Sequence, residues 1–145
     1  MFIFSPEFKN NQEIPKKFTC DGQNVSPPLE LNDIPENTKN LVLIVDDPDA
    51  PSGIWTHWTL WNIDPNTKEI EESSVPKDAV QGATSSGEIG YHGPCPPSGT
   101  HRYFFKLYAL DQTLDLSETS GIDDLKKAMS DHVIEYAELI GLYSR

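Results

Sequence analysis

Apolar residues fall in short runs divided by proline, glycine and acidic turns, and the runs differ in period. Residues 41–45 read Leu-Val-Leu-Ile-Val without a polar break, the pattern of a strand buried on both faces. Residues 55–63 alternate, and residues 102–110 are aromatic and rich in β-formers, so both predict strands. Residues 2–8 alternate imperfectly and predict a first strand. The run Lys17-Phe18-Thr19-Cys20 stops at Asp21-Gly22, a turn signal. Residues 25–29, with Pro27 and Pro28, are extended because proline restricts itself and its predecessor. Residues 64–89 are polar and predict loop with one short strand.

The tail changes period. Leu125, Ala128, Met129, Val133, Tyr136, Ala137 and Ile140 recur at helical spacing. Thr119 or Ser120 can cap the start, Asp123 and Asp124 suit the positive end of the helix dipole, and Gly141 can end it. The pattern predicts a sheet-rich body with a C-terminal helix, a mainly β or α+β class. No repeat and no linker composition divides the chain, so its 145 residues predict one domain, 1–145. A domain of that length buries roughly 68–70% of its unfolded surface.

Charge narrows the partners. The formal net charge is −12, and the basic pairs Lys16-Lys17 and Lys126-Lys127 stand alone. That excludes the basic stripe a nucleic-acid binder needs and disfavours anionic lipid surfaces. No apolar run spans a membrane and no leader pattern opens the chain, so the expected address is the cytoplasm. Cys20 and Cys95 are too few for a zinc knuckle. In a cytoplasm they are expected as thiols that pack as small residues.

Candidate chemistry gathers in two segments. The first runs from Asp46 through Asp47-Pro48-Asp49-Ala50-Pro51 to Trp55-Thr56-His57-Trp58. Pro48 and Pro51 hold Asp47 and Asp49 at a strand end. Period two then places Trp55, His57, Thr59 and Trp61 on one face, and a half-desolvated His57 needs a hydrogen-bond partner. The second segment, Gly90-Tyr91-His92-Gly93-Pro94-Cys95-Pro96-Pro97-Ser98-Gly99-Thr100-His101-Arg102-Tyr103, is a stiff loop whose few N–H groups can form an anion nest. One of its X-Pro bonds is a candidate for the cis form. Behind it His101 and Tyr103 share a strand face that Arg102 leaves. Each signal alone is equally a solvated turn or a core residue; together they suggest a shared pocket.

These motifs resemble those of the phosphatidylethanolamine-binding protein family, also called the Raf kinase inhibitor protein family. They read Asp-Pro-Asp-Ala-Pro with His-Trp (Asp47 to Pro51, His57-Trp58) and Gly-Pro-Cys-Pro-Pro with Gly-Thr-His-Arg-Tyr (Gly93 to Pro97, Gly99 to Tyr103). Cys20-Asp21-Gly22, Ser26 to Leu29 and Gly141-Leu142-Tyr143 extend the likeness over nearly the whole chain. The compact length resembles the bacterial and archaeal branch. The resemblance implies a large antiparallel sheet packed on a smaller one, with helix at the C-terminal side. It also implies a pocket for phosphate, phosphorylethanolamine or a similar anion. Asp47, Asp49, His57, His101 and Tyr103 would line that pocket, with Tyr91 nearby. Cys95 stands where eukaryotic members have a glycine. The terminal helix lies near the pocket in animal members, and gating by it is not carried over.

Carboxylates beside a phosphate repel it unless one orients a protonated histidine, keeps its own proton, or meets an ammonium. The expectation is therefore an anion pocket whose charged donors are His57 and His101. The implied role is a binding module that regulates a protein partner such as a kinase or protease, with no cofactor; a homodimer is left open. A hydrolase using His and Asp is the alternative. Against it, the chain has no Gly-x-Ser-x-Gly elbow, and Cys95 near His92 or His101 is the one thiol nucleophile to consider. A metal site ranks last, since His-Glu-x-x-His spacing is absent.

Overall fold

The computed structural model describes residues 1–145 and contains two stacked sheets with one helix. The smaller sheet joins β1 (Phe2–Phe4), β3 (Leu29–Asn32) and β6 (Glu69–Ile70) in the order β1-β3-β6. The larger holds β2 (Gln12–Glu13), β9 (Val133–Ser144), β8 (Thr100–Leu110), β4 (Asn40–Asp47), β5 (Trp55–Ile63) and β7 (Val80–Gln81) in the order β2-β9-β8-β4-β5-β7. Only β2 pairs in parallel, with β9; the remaining pairings are antiparallel.

Every residue of β4 is buried, as its unbroken apolar run requires. Leu41, Leu43 and Val45 point between the sheets, where they meet Trp58, Leu60, Phe105, Leu107 and the small-sheet residues Leu29 and Leu31. Val42 and Ile44 point the other way. They join Trp61, Leu110, Leu125 and Met129 in a second core beneath α1 (Ile122–Met129).

The tail is where the expectation from spacing fails. The helix exists, with Asp123 and Asp124 in its first turn, but it stops at Met129 instead of running to Gly141. Asp131 adopts a left-handed backbone (φ 69°), and residues 133–144 form β9 along the full length of β8. The segment is rich in β-branched and aromatic residues, and from Ala137 onward alternate positions turn inward. That period is masked at helical spacing by Val133, Tyr136 and Ile140. Long-range pairing to β8 decides the outcome. Gly141 is thus no helix terminator. A Cβ there would sit 2.4 Å from Ile14 Cγ1 and 2.9 Å from Phe8 Cε2, so glycine lets β9 lie close against the core.

Candidate functional site

The site forms where β4, β5 and β8 end together. β4 delivers Asp47, β8 delivers His101 and Tyr103 on one face, and β5 delivers His57 through an irregularity. Val45 pairs with Trp58 but the next residue, Asp46, pairs with Thr56. His57 is the extra residue of a β-bulge, which re-aims side chains. Period two therefore breaks: Trp55 and His57 face the cavity, Trp58 packs between the sheets, and Trp61 lies on the helix side. The expected single face of Trp55, His57, Thr59 and Trp61 is not formed.

The cavity has a volume of about 450 Å³ and is walled by Asp47, Trp55, His57, His92, Cys95, His101 and Tyr103, with Pro51, Ser86 and Pro96 among its other neighbours. Asp47 Oδ2 accepts a 2.7 Å hydrogen bond from His101 Nδ1. Its other oxygen accepts from the Asp49 main-chain N–H at 2.7 Å. Both partners of the Asp47–His101 pair are buried, so the carboxylate is committed to orienting the imidazole.

His57 is held differently. Its Nδ1 lies 2.6 Å from the His92 carbonyl oxygen. A carbonyl only accepts, so Nδ1 carries the proton and Nε2 is bare in the neutral ring. Burial pushes the imidazole below the usual histidine range, against the opposing pull of the His92 carbonyl and Asp47. This departs from the expectation of a positively charged His57. The Tyr103 ring packs edge-on against His57, and its hydroxyl is buried with no hydrogen bond of good geometry, the Asp47 carboxylate standing close enough to act on it. Burial, then the Asp47 charge, push the phenol well above its ordinary range, which keeps it a donor.

Two of the expected residues lie elsewhere. Asp49 is outside the cavity wall and takes a bidentate pair from Arg102, with Nε and Nη2 each at 2.9 Å. The guanidinium holds that carboxylate below its ordinary range. Tyr91 donates its hydroxyl to the Phe18 carbonyl at 2.7 Å and stands edge-on to Trp58. It supports the wall from behind, beside a second, smaller cavity.

The cysteines overturn the thiol expectation. Cys20 and Cys95 form a disulfide across 75 residues, and neither is free. Both line the cavity. The bond ties the proline-rich loop to the end of the 3₁₀ turn Lys16–Phe18. Gly93 assists: its N–H donates to Asn24 Oδ1 at 2.8 Å, and a Cβ would clash with Phe18 O. All peptide bonds are trans, including those of the Pro94–Pro97 loop. Sequence spacing cannot pair two distant cysteines, because pairing depends on the Cα separation, here 5.4 Å. His92 is tied to His57 on both sides of its backbone, its N–H donating to the His57 carbonyl at 3.0 Å and its own carbonyl accepting from His57 Nδ1.

The sequence model of the phosphatidylethanolamine-binding protein family matches residues 4–144. A UPF0098 protein of Methanothermobacter thermautotrophicus is 51% identical over 143 residues, covering 95% of each chain. One from Aquifex aeolicus is 45% identical, covering all of this chain and 89% of the relative. The crystal structure of a phosphatidylethanolamine-binding protein homologue from Chlamydia trachomatis superposes with a TM-score of 0.95 at 43% identity, covering 99% and 97% of the two chains. E. coli YbcL, a member of the mammalian family by its own description, superposes at 0.93 with 30% identity and the same coverage. Family profile, relatives and fold converge: the chain belongs to the phosphatidylethanolamine-binding protein family.

Proposed function

We propose that the chain is a binding module for a small phosphate-bearing anion, free or carried on a partner protein that it regulates. One observation carries the reading. One cavity wall presents His57, an Asp-oriented His101 and the buried phenol of Tyr103 together. His57 and His101 each commit Nδ1 to a protein acceptor, which leaves Nε2 of both rings without a protein partner for a ligand oxygen. Membership of the family supports the ligand class, as does the printed name of the Chlamydia relative.

The Asp47–His101 pair favours one further reading, a hydrolase in which His101 acts as base. Support for it is thinner. No serine or threonine hydroxyl is hydrogen-bonded to His101, and both sulfurs are in a disulfide. No helix is long and apolar enough to cross a membrane; the Cys20–Cys95 disulfide favours oxidising surroundings and weighs against the cytoplasmic address expected from the sequence.

The test is titration of the full chain with inorganic phosphate, followed by NMR. Saturable shifts at His57, His101 and Tyr103 are expected. Absence of saturable shifts at those residues overturns the proposal.

A further inference from the structure

We propose that the Cys20–Cys95 disulfide is a thiol–disulfide exchange site that a dithiol reductant opens in the folded protein, with Arg145 as the residue that promotes the exchange. The reactivity of the bond is independent of what the cavity binds.

Exchange requires a thiolate to reach one sulfur of the bond. Cys95 is exposed and Cys20 half-buried, and both stand in the cavity wall and not in either core. Cys95 is therefore the sulfur that a reductant meets.

The attacking species is a thiolate and the displaced sulfur departs as one, so a cation beside the bond favours both events. Over most of a chain of net charge −12 an anionic thiolate is repelled. At this bond one guanidinium covers both sulfurs. Arg145 Nη1 lies 3.3 Å from Cys95 Sγ and 3.9 Å from Cys20 Sγ. Asp21 opposes it, with Oδ2 at 3.5 Å from Arg145 Nε. That same oxygen accepts the Tyr143 hydroxyl at 2.6 Å, so Asp21 is shared and Nη1 stays with the sulfurs.

Reversal requires the two thiols to remain neighbours once the bond opens. Cys20 N–H donates to the Pro94 carbonyl at 3.1 Å. Gly93 N–H donates to Asn24 Oδ1, and the Tyr91 hydroxyl to the Phe18 carbonyl. These bonds bracket the cysteines on both chains of the contact and do not depend on sulfur. Reoxidation then joins adjacent groups and needs no search across the 75-residue loop. The part that loses its tie is the segment beyond Cys95, where Pro96 and Pro97 line the cavity.

The chemistry balances in two displacements. A thiolate of the dithiol attacks Cys95 Sγ, the Cys20–Cys95 bond breaks, and Cys20 leaves as a thiolate beside Arg145. The second thiol of the reductant loses its proton and attacks the reductant's own sulfur in the mixed disulfide. Cys95 then leaves as a thiolate, again beside Arg145. The reductant ends as a disulfide and the protein as a dithiol; two electrons pass to the protein, and the two protons lost by the reductant are made good from solvent.

The experiment treats the oxidised full chain with dithiothreitol at about pH 7.5, below the ordinary thiol range, and quenches by alkylation for mass spectrometry. The same reaction is run on the chain unfolded in urea. The folded protein is expected to be reduced at a rate within about tenfold of the unfolded chain, or faster. After removal of dithiothreitol, glutathione disulfide restores the bond within the monomer. Arg145→Gln is expected to slow reduction of the folded protein about threefold to tenfold, and Arg145→Lys to recover most of that loss, while neither changes the rate in urea. A folded rate more than about tenfold below the unfolded one overturns the proposal, because the bond then opens only on unfolding and is a structural staple. Equal folded rates in wild type and Arg145→Gln remove the role of Arg145. Should that variant fail to fold, the wild-type ratio of folded to unfolded rates decides alone.

Discussion

Asp47 and His101 lie on neighbouring strands, fifty-four residues apart in sequence, and meet at 2.7 Å with both side chains buried. The carboxylate fixes the ring plane and keeps the Nδ1 proton in place, leaving Nε2 for the cavity. Asp47→Asn removes the charge that this arrangement depends on. Phosphate affinity is expected to fall about tenfold to a hundredfold, measured by calorimetry. Tighter binding by the variant would show that the Asp47 charge acts mainly by repelling the ligand, and would sink the orienting role.

Asp49 provides the contrasting case. It shares a motif with Asp47, two residues away, yet its carboxylate is turned to Arg102 on the outside. Asp49→Asn is expected to change phosphate affinity by less than about threefold, because an exposed ion pair contributes little. Its pH signature is also distinct. A carboxylate held low by Arg102 contributes stability above its unfolded pKa and loses it as pH falls through the folded value. Thermal melts from neutral to strongly acidic pH should therefore show the variant converging on the wild type only at the acid end.

How much of this was legible follows from the range of each interaction. The unbroken run of β4 and the aromatic, β-forming run of β8 are local, and both strands stand as the pattern predicts. Asp47, His101 and Tyr103 come together because period two survives in β4 and β8. His57 reaches the cavity only through a bulge, which no alternation rule reveals. The helical spacing of the tail was true of α1 and false beyond it, because the partner strand lies outside the window in which periodicity is read. The disulfide was illegible for the same reason, being a matter of proximity between distant loops.

His57 makes stability depend on pH in the opposite part of the scale from Asp49. Burial depresses its pKa relative to the unfolded chain, against the pull of the His92 carbonyl and Asp47. As pH falls below about 6.5, the unfolded state gains a proton that the folded state refuses. Stability is therefore complete above that pH and declines through the window down to the folded pKa. Denaturant midpoints between about pH 7 and about pH 5 should fall in wild type and fall less steeply in His57→Gln. Parallel slopes would assign the decline to other groups.

Reduction of Cys20–Cys95 releases the proline-rich wall of the cavity. Closing a 75-residue loop is worth about 2–5 kcal/mol against the unfolded chain. Thiol titration of unfolded but unreduced protein should find no free thiol, and two after reductant. Reduced protein should melt at lower temperature and bind phosphate more weakly, since His92 and the loop following it lose an anchor. Unchanged affinity after complete reduction would mean that Gly93 and Asn24 hold the loop without the covalent tie.

Gly141 tests whether β9 is correctly placed. If residues 133–144 were a helix ending at Gly141, alanine there would cost about 1–2 kcal/mol of left-handed backbone strain and would not couple to Ile14. In the strand, an added Cβ meets Ile14 at 2.4 Å and 2.6 Å and Phe8 at 2.9 Å. Ile14 is fully buried, so it has little room to retreat, and overpacking costs about 1–3 kcal/mol. Gly141→Ala is thus expected to lower stability by that amount in chemical denaturation. Ile14→Val removes one of the two opposing carbons and itself costs about 0.5–1.5 kcal/mol. Combined with Gly141→Ala it should cost less than the sum of the single changes, since the two sites share one contact. Strict additivity would place Gly141 away from Ile14 and reopen the assignment of the strand.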